Sequence, residues 1–140
     1  MSINPLNPRD IGKINEEIST RKTLLGDHEE GGFWYHAVMD CEQLVKFYNM
    51  LGDHETRQGN SKEAERLYKT ANDYKKRMML NYERNMDFTE ALELAKELSD
   101  ERASIYEKLS KVKKFRDEDE PTNKLFERLR QYRECGTKKH

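Results

Sequence analysis

The chain has 140 residues, of which 38% are charged and 34% hydrophobic, with 26 basic side chains against 27 acidic ones and a mean hydropathy of -1.14. That length suits one domain, able to bury roughly two-thirds of the surface its unfolded form exposes. The near-cancelling charge sets up no global field toward nucleic acid or an anionic membrane, and no run approaches the roughly 20 apolar residues a membrane helix needs.

The N-terminal MSINPLNPRD carries no apolar h-region of a secretory signal, and residues 1 to 7 read as an irregular arm. Asn7-Pro8-Arg9-Asp10 then reads as N-cap, proline at the first helical position and an acid in the first turn. A first helix of about 8 to 25 follows, with Ile11, Ile14, Ile18 and Leu25 on one face and Leu24 beside them. Gly26 is expected to end it, and Asp27 to Gly32 to form a polar, glycine-rich connection.

The second helix opens at Phe33-Trp34-Tyr35 and runs to about Gln58. Its apolar positions Trp34, Val38, Cys41, Val45 and Tyr48 alternate by four and three, widened by Leu44, Phe47 and Leu51. A mean spacing near 3.5 implies packing along a seam with a near-parallel helix. Trp34 should be buried, which turns Phe33 or Tyr35 outward as a binding hot spot. Gly52 is where a kink or break in this helix would fall.

The third helix, about 61 to 85, keeps the rhythm through Ala64, Leu67, Ala71, Tyr74, Met78 and Tyr82. Between the two helices, Gly59 suits a left-handed helix end, and Asn60 with Glu63 forms a candidate capping box. Gly52, Ala64 and Ala71 let the helices approach closely, while Tyr48, Leu51, Leu67 and Tyr68 fill the space beside them. The hairpin of residues 45 to 78 resembles a tetratricopeptide repeat, through Tyr48, Leu51-Gly52, Gly59-Asn60, Ala64, Tyr68 and Ala71. The resemblance covers about a quarter of the chain and implies packing roles for these residues and a groove for a peptide or helix. Ala91 follows Ala64 by only 27 residues, so a strict tandem of about 34 residues is absent.

The fourth helix is expected over about 88 to 115, with Asp87 and Glu90 as its capping box and Ala91, Ala95, Leu98, Ile105, Leu109 and Val112 on one face. Arg102 falls where that register wants an apolar residue. Residues 116 to 121 form an acidic linker ending in Pro121. A basic amphipathic helix then covers about 122 to 134, with Leu125, Phe126, Leu129 and Tyr132 on one face and six Lys or Arg between Lys124 and Lys139. Gly136 should end it, leaving a loose tail to His140. Its apolar face suits either its own bundle or a partner's groove, with Arg128 and Arg133 alongside.

The sequence thus predicts an all-α, elongated antiparallel bundle over 8 to 115, with three long helices and shorter N- and C-terminal ones. Signals for chemistry are thin. Leu-Gly-Asp-His-Glu occurs at 25 to 29 and again at 51 to 55, but neither copy has the spacing that aims two ligands from one helical face at a metal. His36 and Asp40 read as a surface pair, and Cys41 as a core residue with an inert, raised-pKa thiol. Cys41 and Cys135 lie far apart and lack Cys-x-x-Cys or Cys/His ligand spacing, which fits free thiols in a reducing, cytoplasmic compartment better than a disulfide framework. No catalytic, cofactor or metal residue is expected.

The function expected is non-enzymatic: an adaptor, or a small subunit of a larger, filament- or cytoskeleton-associated assembly, that binds a protein helix or peptide. The alternative is nucleic-acid association or a regulatory role through Lys75-Lys76-Arg77, Lys111 to Lys114 and the C-terminal helix.

Overall fold

The computed structural model describes residues 6–112 and 120–138, with side chains to Glu134. It is all-α: among the described residues it has six helices, α1 Pro8–Glu30, α2 Trp34–Arg57, α3 Ser61–Arg84, α4 Phe88–Glu97, α5 Ala103–Ser110 and α6 Glu120–Lys138. Two compact units divide the chain, residues 1–85 and 86–140. The boundary falls at the Asn85-Met86 turn, inside the stretch 8 to 115 expected to form one bundle. Most of the arm at 1 to 7, most of the acidic linker, Lys113, Lys114 and the last two residues of the tail lie outside the described residues.

In the first unit α2 is the central helix, packed by both α1 and α3. Its contacts with α3 run Cys41 to Asn81, Tyr48 to Tyr74 and Gly52 to Tyr68, one number rising as the other falls, so the pair is antiparallel. The expected seam is recovered in Val38, Cys41, Tyr48, Ala64, Leu67, Ala71 and Met78, all buried. Trp34, expected in the core, is only half-buried; the guanidinium of Arg84 lies 5.0 Å above its ring. From α1, Ile14, Ile18 and Leu25 complete the core.

Two glycine expectations are corrected. Gly26 does not stop α1, which continues to Glu30, and no break falls at Gly52, where α2 is continuous to Arg57. A helix ends where the backbone turns left-handed, and that happens at Gly32 (φ 76°) and Gly59 (φ 78°). Met86 (φ 64°) and Ser99 (φ 54°) do the same after α3 and α4. Gly32, Gly59 and Met86 stand 27 residues apart each time. The three turns share their dihedrals at the next residue, near φ -90° and ψ 70° at Phe33, Asn60 and Asp87. Four residues further on, Ala37, Ala64 and Ala91 are each buried. The spacing of 27 noticed between Ala64 and Ala91 is thus a structural period, one helix plus one turn.

That backbone also explains why two expected capping boxes do not form. Asn7 has ψ 167° and exchanges hydrogen bonds with Asp10, as the sequence suggests. At Asn60 and Asp87 the lower ψ gives no side-chain cap. Asn60 instead donates to the Glu55 carboxylate at 2.7 Å, and Glu63 pairs with Arg66.

In the second unit the expected single helix over 88 to 115 is two, α4 and α5, broken across Leu98 to Arg102. Phe88, Ala91, Ala95, Ile105, Tyr106 and Leu109 form its core. α6 begins at Glu120, takes Pro121 in its first turn, where a missing N–H costs nothing, and runs through Gly136 to Lys138.

Candidate functional site

The repeated Leu-Gly-Asp-His-Glu segment lies at two helix ends, one closing α1 and one closing α2, with different surroundings. In the first copy Leu25 is in the core and His28 Nδ1 lies 2.5 Å from Asp40 Oδ2. Arg21 donates to the other Asp40 oxygen at 3.2 Å. Glu29 accepts from Arg77 Nε at 3.0 Å and from Asn81 Nδ2 at 2.9 Å, with Arg84 Nη1 3.9 Å away. Burial pushes the Glu29 carboxyl up, but the hydrogen bonds from Arg77 and Asn81 and the charges of Arg77 and Arg84 outweigh this and hold it below the usual range.

In the second copy Leu51 and Gly52 are buried, and Asp53 Oδ1 accepts from the Tyr68 hydroxyl at 2.5 Å. His54 is buried, and among the described residues its Nδ1 has no hydrogen-bond partner. Asp40 and His54 are 14 residues apart on α2, about 21 Å at 1.5 Å per residue. The two copies therefore do not converge. Among the described residues no group of three or more His, Cys, Asp or Glu is placed to hold a metal ion.

The reading of His36 and Asp40 as a surface pair is corrected. Asp40 is 1% exposed and its carboxylate is held by α1; His36 is exposed and faces the His28 ring, centroids 5.3 Å apart. The signal was invisible locally because the partners of Asp40 come from another helix.

The first turn also displays apolar surface. Phe33 and Tyr35 are each 58% exposed and Met39 50%. Tyr35 and Met39 stand at i, i+4 on α2, off the buried seam. Phe33 is held by its turn: a Cβ on Gly31 would lie 2.8 Å from its ring, and its ring meets those of His28 and His36 edge-on at 6.4 and 6.1 Å. Sequence reasoning named Phe33 and Tyr35 but missed Met39, whose only mark is that it lies one turn beyond Tyr35 and off the seam.

The C-terminal helix uses its apolar face within the second unit. Leu129 is buried, Phe126 meets Phe88 with centroids 5.9 Å apart, and Leu125 is half-buried. Tyr132 lies under the Arg102 guanidinium at 5.1 Å and donates to Glu101 at 3.2 Å. Of the residues suggested there, Arg128 and Arg133 remain exposed. Among the basic clusters, Arg77 is committed to Glu29, and Lys111 lies 3.8 Å from Glu107. Cys41 is buried, and that burial, with the charge of Glu29, pushes its thiol up to about 12. At such a pKa the thiolate, the form that reacts, is scarce.

Among the described residues no helix is long and apolar enough to cross a membrane. Comparison of the chain with protein-family models, with curated proteins and with solved structures finds no match.

Proposed function

We propose that this chain is a non-enzymatic interaction module, an adaptor or small subunit of a larger assembly, whose contact surface is the Phe33, Tyr35 and Met39 cluster at the α1–α2 turn. The supporting observation is the exposure of these three large side chains on a fixed frame. Large apolar side chains at an interface gain most when they are held in place before binding, because less ordering entropy is lost. Phe33 is held by Gly31 and the two histidine rings, and Tyr35 and Met39 by a helix whose other face is packed.

The α2–α3 hairpin supports the same reading. Gly52 packs closely against the Tyr68 ring, the small-against-large contact that the tetratricopeptide resemblance implies, in helices of 24 residues each. We read it as a lengthened relative of that class, acting as a scaffold that presents the turn.

The test compares proteins retained from the native source by the intact chain and by a Phe33→Ser, Tyr35→Ser, Met39→Ser variant whose thermal unfolding is unchanged. Selective loss of one stoichiometric partner, reproduced with the purified components, supports the proposal. Equal retention by both chains refutes it. Salt separates the nucleic-acid alternative: phosphate contacts weaken steeply with added salt, and apolar docking does not.

A further inference from the structure

We propose that His28 and His36 form a chelating pair for one first-row transition-metal dication of the zinc, nickel or copper type. The proposal rests on other observations than the partner-docking reading, although the same two rings also pack against Phe33. It begins with Asp40, which is buried and has its two oxygens assigned, one to Arg21 at 3.2 Å and one to His28 Nδ1 at 2.5 Å. A carboxylate accepts hydrogen bonds, so Nδ1 of His28 carries a proton, and in the neutral ring Nε2 is then the nitrogen with a free lone pair. A carboxylate that fixes the tautomer and ring orientation of a histidine in this way is the usual outer shell of a metal ligand.

The second imidazole is at the right distance. With zinc–nitrogen bonds of about 2.0–2.1 Å and ring centres about 1.1 Å beyond each nitrogen, two imidazoles on one tetrahedral ion sit with centroids about 5 Å apart. The rings of His28 and His36 are 5.3 Å apart, their planes inclined by 43°. Imidazole nitrogen suits zinc, copper and nickel, not magnesium or calcium. His36 is exposed and the His28 side chain is 27% exposed, so an ion can reach both from solvent. With only two protein ligands, water fills the remaining positions. Of the neighbouring cations, Arg21 is paired with Asp40, while Arg77 and Arg84 share the single negative charge of Glu29.

The test uses the full chain without an affinity tag, titrated at neutral pH with zinc, nickel or copper ions alone and followed by equilibrium dialysis. The expected result is saturable uptake of one ion per chain. It weakens at least tenfold in His36→Gln, a change at an exposed position, and is unchanged in His54→Gln. A second readout needs no variant: substoichiometric copper(II) broadens the imidazole proton signals of His28 and His36 and spares that of His54. Uptake that does not saturate, uptake indifferent to His36→Gln, or broadening that spares His28 overturns the proposal.

Discussion

The ring of Tyr68 lies so close to the bare backbone of Gly52 that a Cβ there would come within 2.5 Å of its Cε1 atom. The ring has little freedom to retreat, since its hydroxyl donates to Asp53 at 2.5 Å and lies 3.3 Å from the Thr56 hydroxyl. Gly52→Ala adds about 1 kcal/mol of helix propensity but overpacks a tight contact, at about 1–3 kcal/mol. We expect a net loss of about 0–2 kcal/mol by denaturant unfolding. In a Tyr68→Ala background the same change becomes neutral or stabilising. A stabilised Gly52→Ala in the otherwise unaltered chain would remove the contact from the account.

Met86 holds a left-handed backbone where Gly32 and Gly59 occupy the same place in the other two turns. That conformation costs a side-chain-bearing residue about 1–2 kcal/mol, and glycine returns about 0.5–1 kcal/mol of it as lost backbone entropy. Met86→Gly should raise stability by about 0.5–1 kcal/mol, and Gly59→Ala should lower it by about 1 kcal/mol. Melting curves of the two variants check both signs, and a destabilised Met86→Gly would contradict the shared turn geometry.

The same turns mark how far the sequence can be read. Gly59 was legible because glycine is the usual residue at a left-handed helix end, and the hairpin followed from apolar spacing on either side of it. The α3–α4 turn at Met86 was expected too, from the capping residues that follow it, but Ser99 gives no such mark, and the break that divides α4 from α5 showed locally only in Arg102, out of the apolar register. Gly26 misled for the opposite reason: glycine lowers helix propensity modestly, and α1 continues because Leu25 and Glu29 on either side of it are anchored by packing and by Arg77 and Asn81. Asp40 looked like a surface acid because its two partners are contributed by α1, and a tertiary pairing leaves no trace in local spacing.

Glu29 ties α1 to α3 and should make the first unit acid-sensitive. Its carboxyl is lowered in the folded chain and returns to about 4.3 when unfolded. A lowered folded pKa contributes stability above the unfolded pKa, lost as pH falls from there through the folded one. Glu29→Gln should cost about 1 kcal/mol at neutral pH, since it removes a charged acceptor shared by Arg77 and Asn81. The difference from the unaltered chain should shrink as pH drops below about 5. Urea midpoints across this range test it, and a difference that persists at the acid end refutes the linkage.

With Cys135 replaced by Ser, the remaining thiol at Cys41 should resist alkylation in the folded chain. A pKa of about 12 leaves on the order of one thiol in 10,000 ionised at pH 8. Reaction with iodoacetamide should be at least about 100-fold slower than in denaturant. Comparable rates would place Cys41 outside the core.

Arg102 breaks the apolar register of the second unit, and its cost is visible in the geometry. The residue is buried, and among the described residues its Nε and Nη1 atoms have no hydrogen-bond partner. The Asp100 carboxylate is 3.6 Å from Nε and is instead used as acceptor by the Arg102 backbone N–H at 2.9 Å. What the guanidinium gains is Tyr132, whose ring lies 5.1 Å below it, an attraction of about 0.5–2 kcal/mol. Donors left unsatisfied by burial cost about 1–3 kcal/mol, and buried charges replaced by apolar groups of similar volume are often neutral or favourable. Arg102→Met keeps the packed stem and the backbone hydrogen bond to Asp100, so it should be neutral or stabilise by about 1 kcal/mol. Tyr132→Ala should instead destabilise by about 1–3 kcal/mol, through lost apolar burial on α6. A loss of more than about 2 kcal/mol in Arg102→Met would show that the guanidinium is satisfied by a partner other than Asp100 and Tyr132.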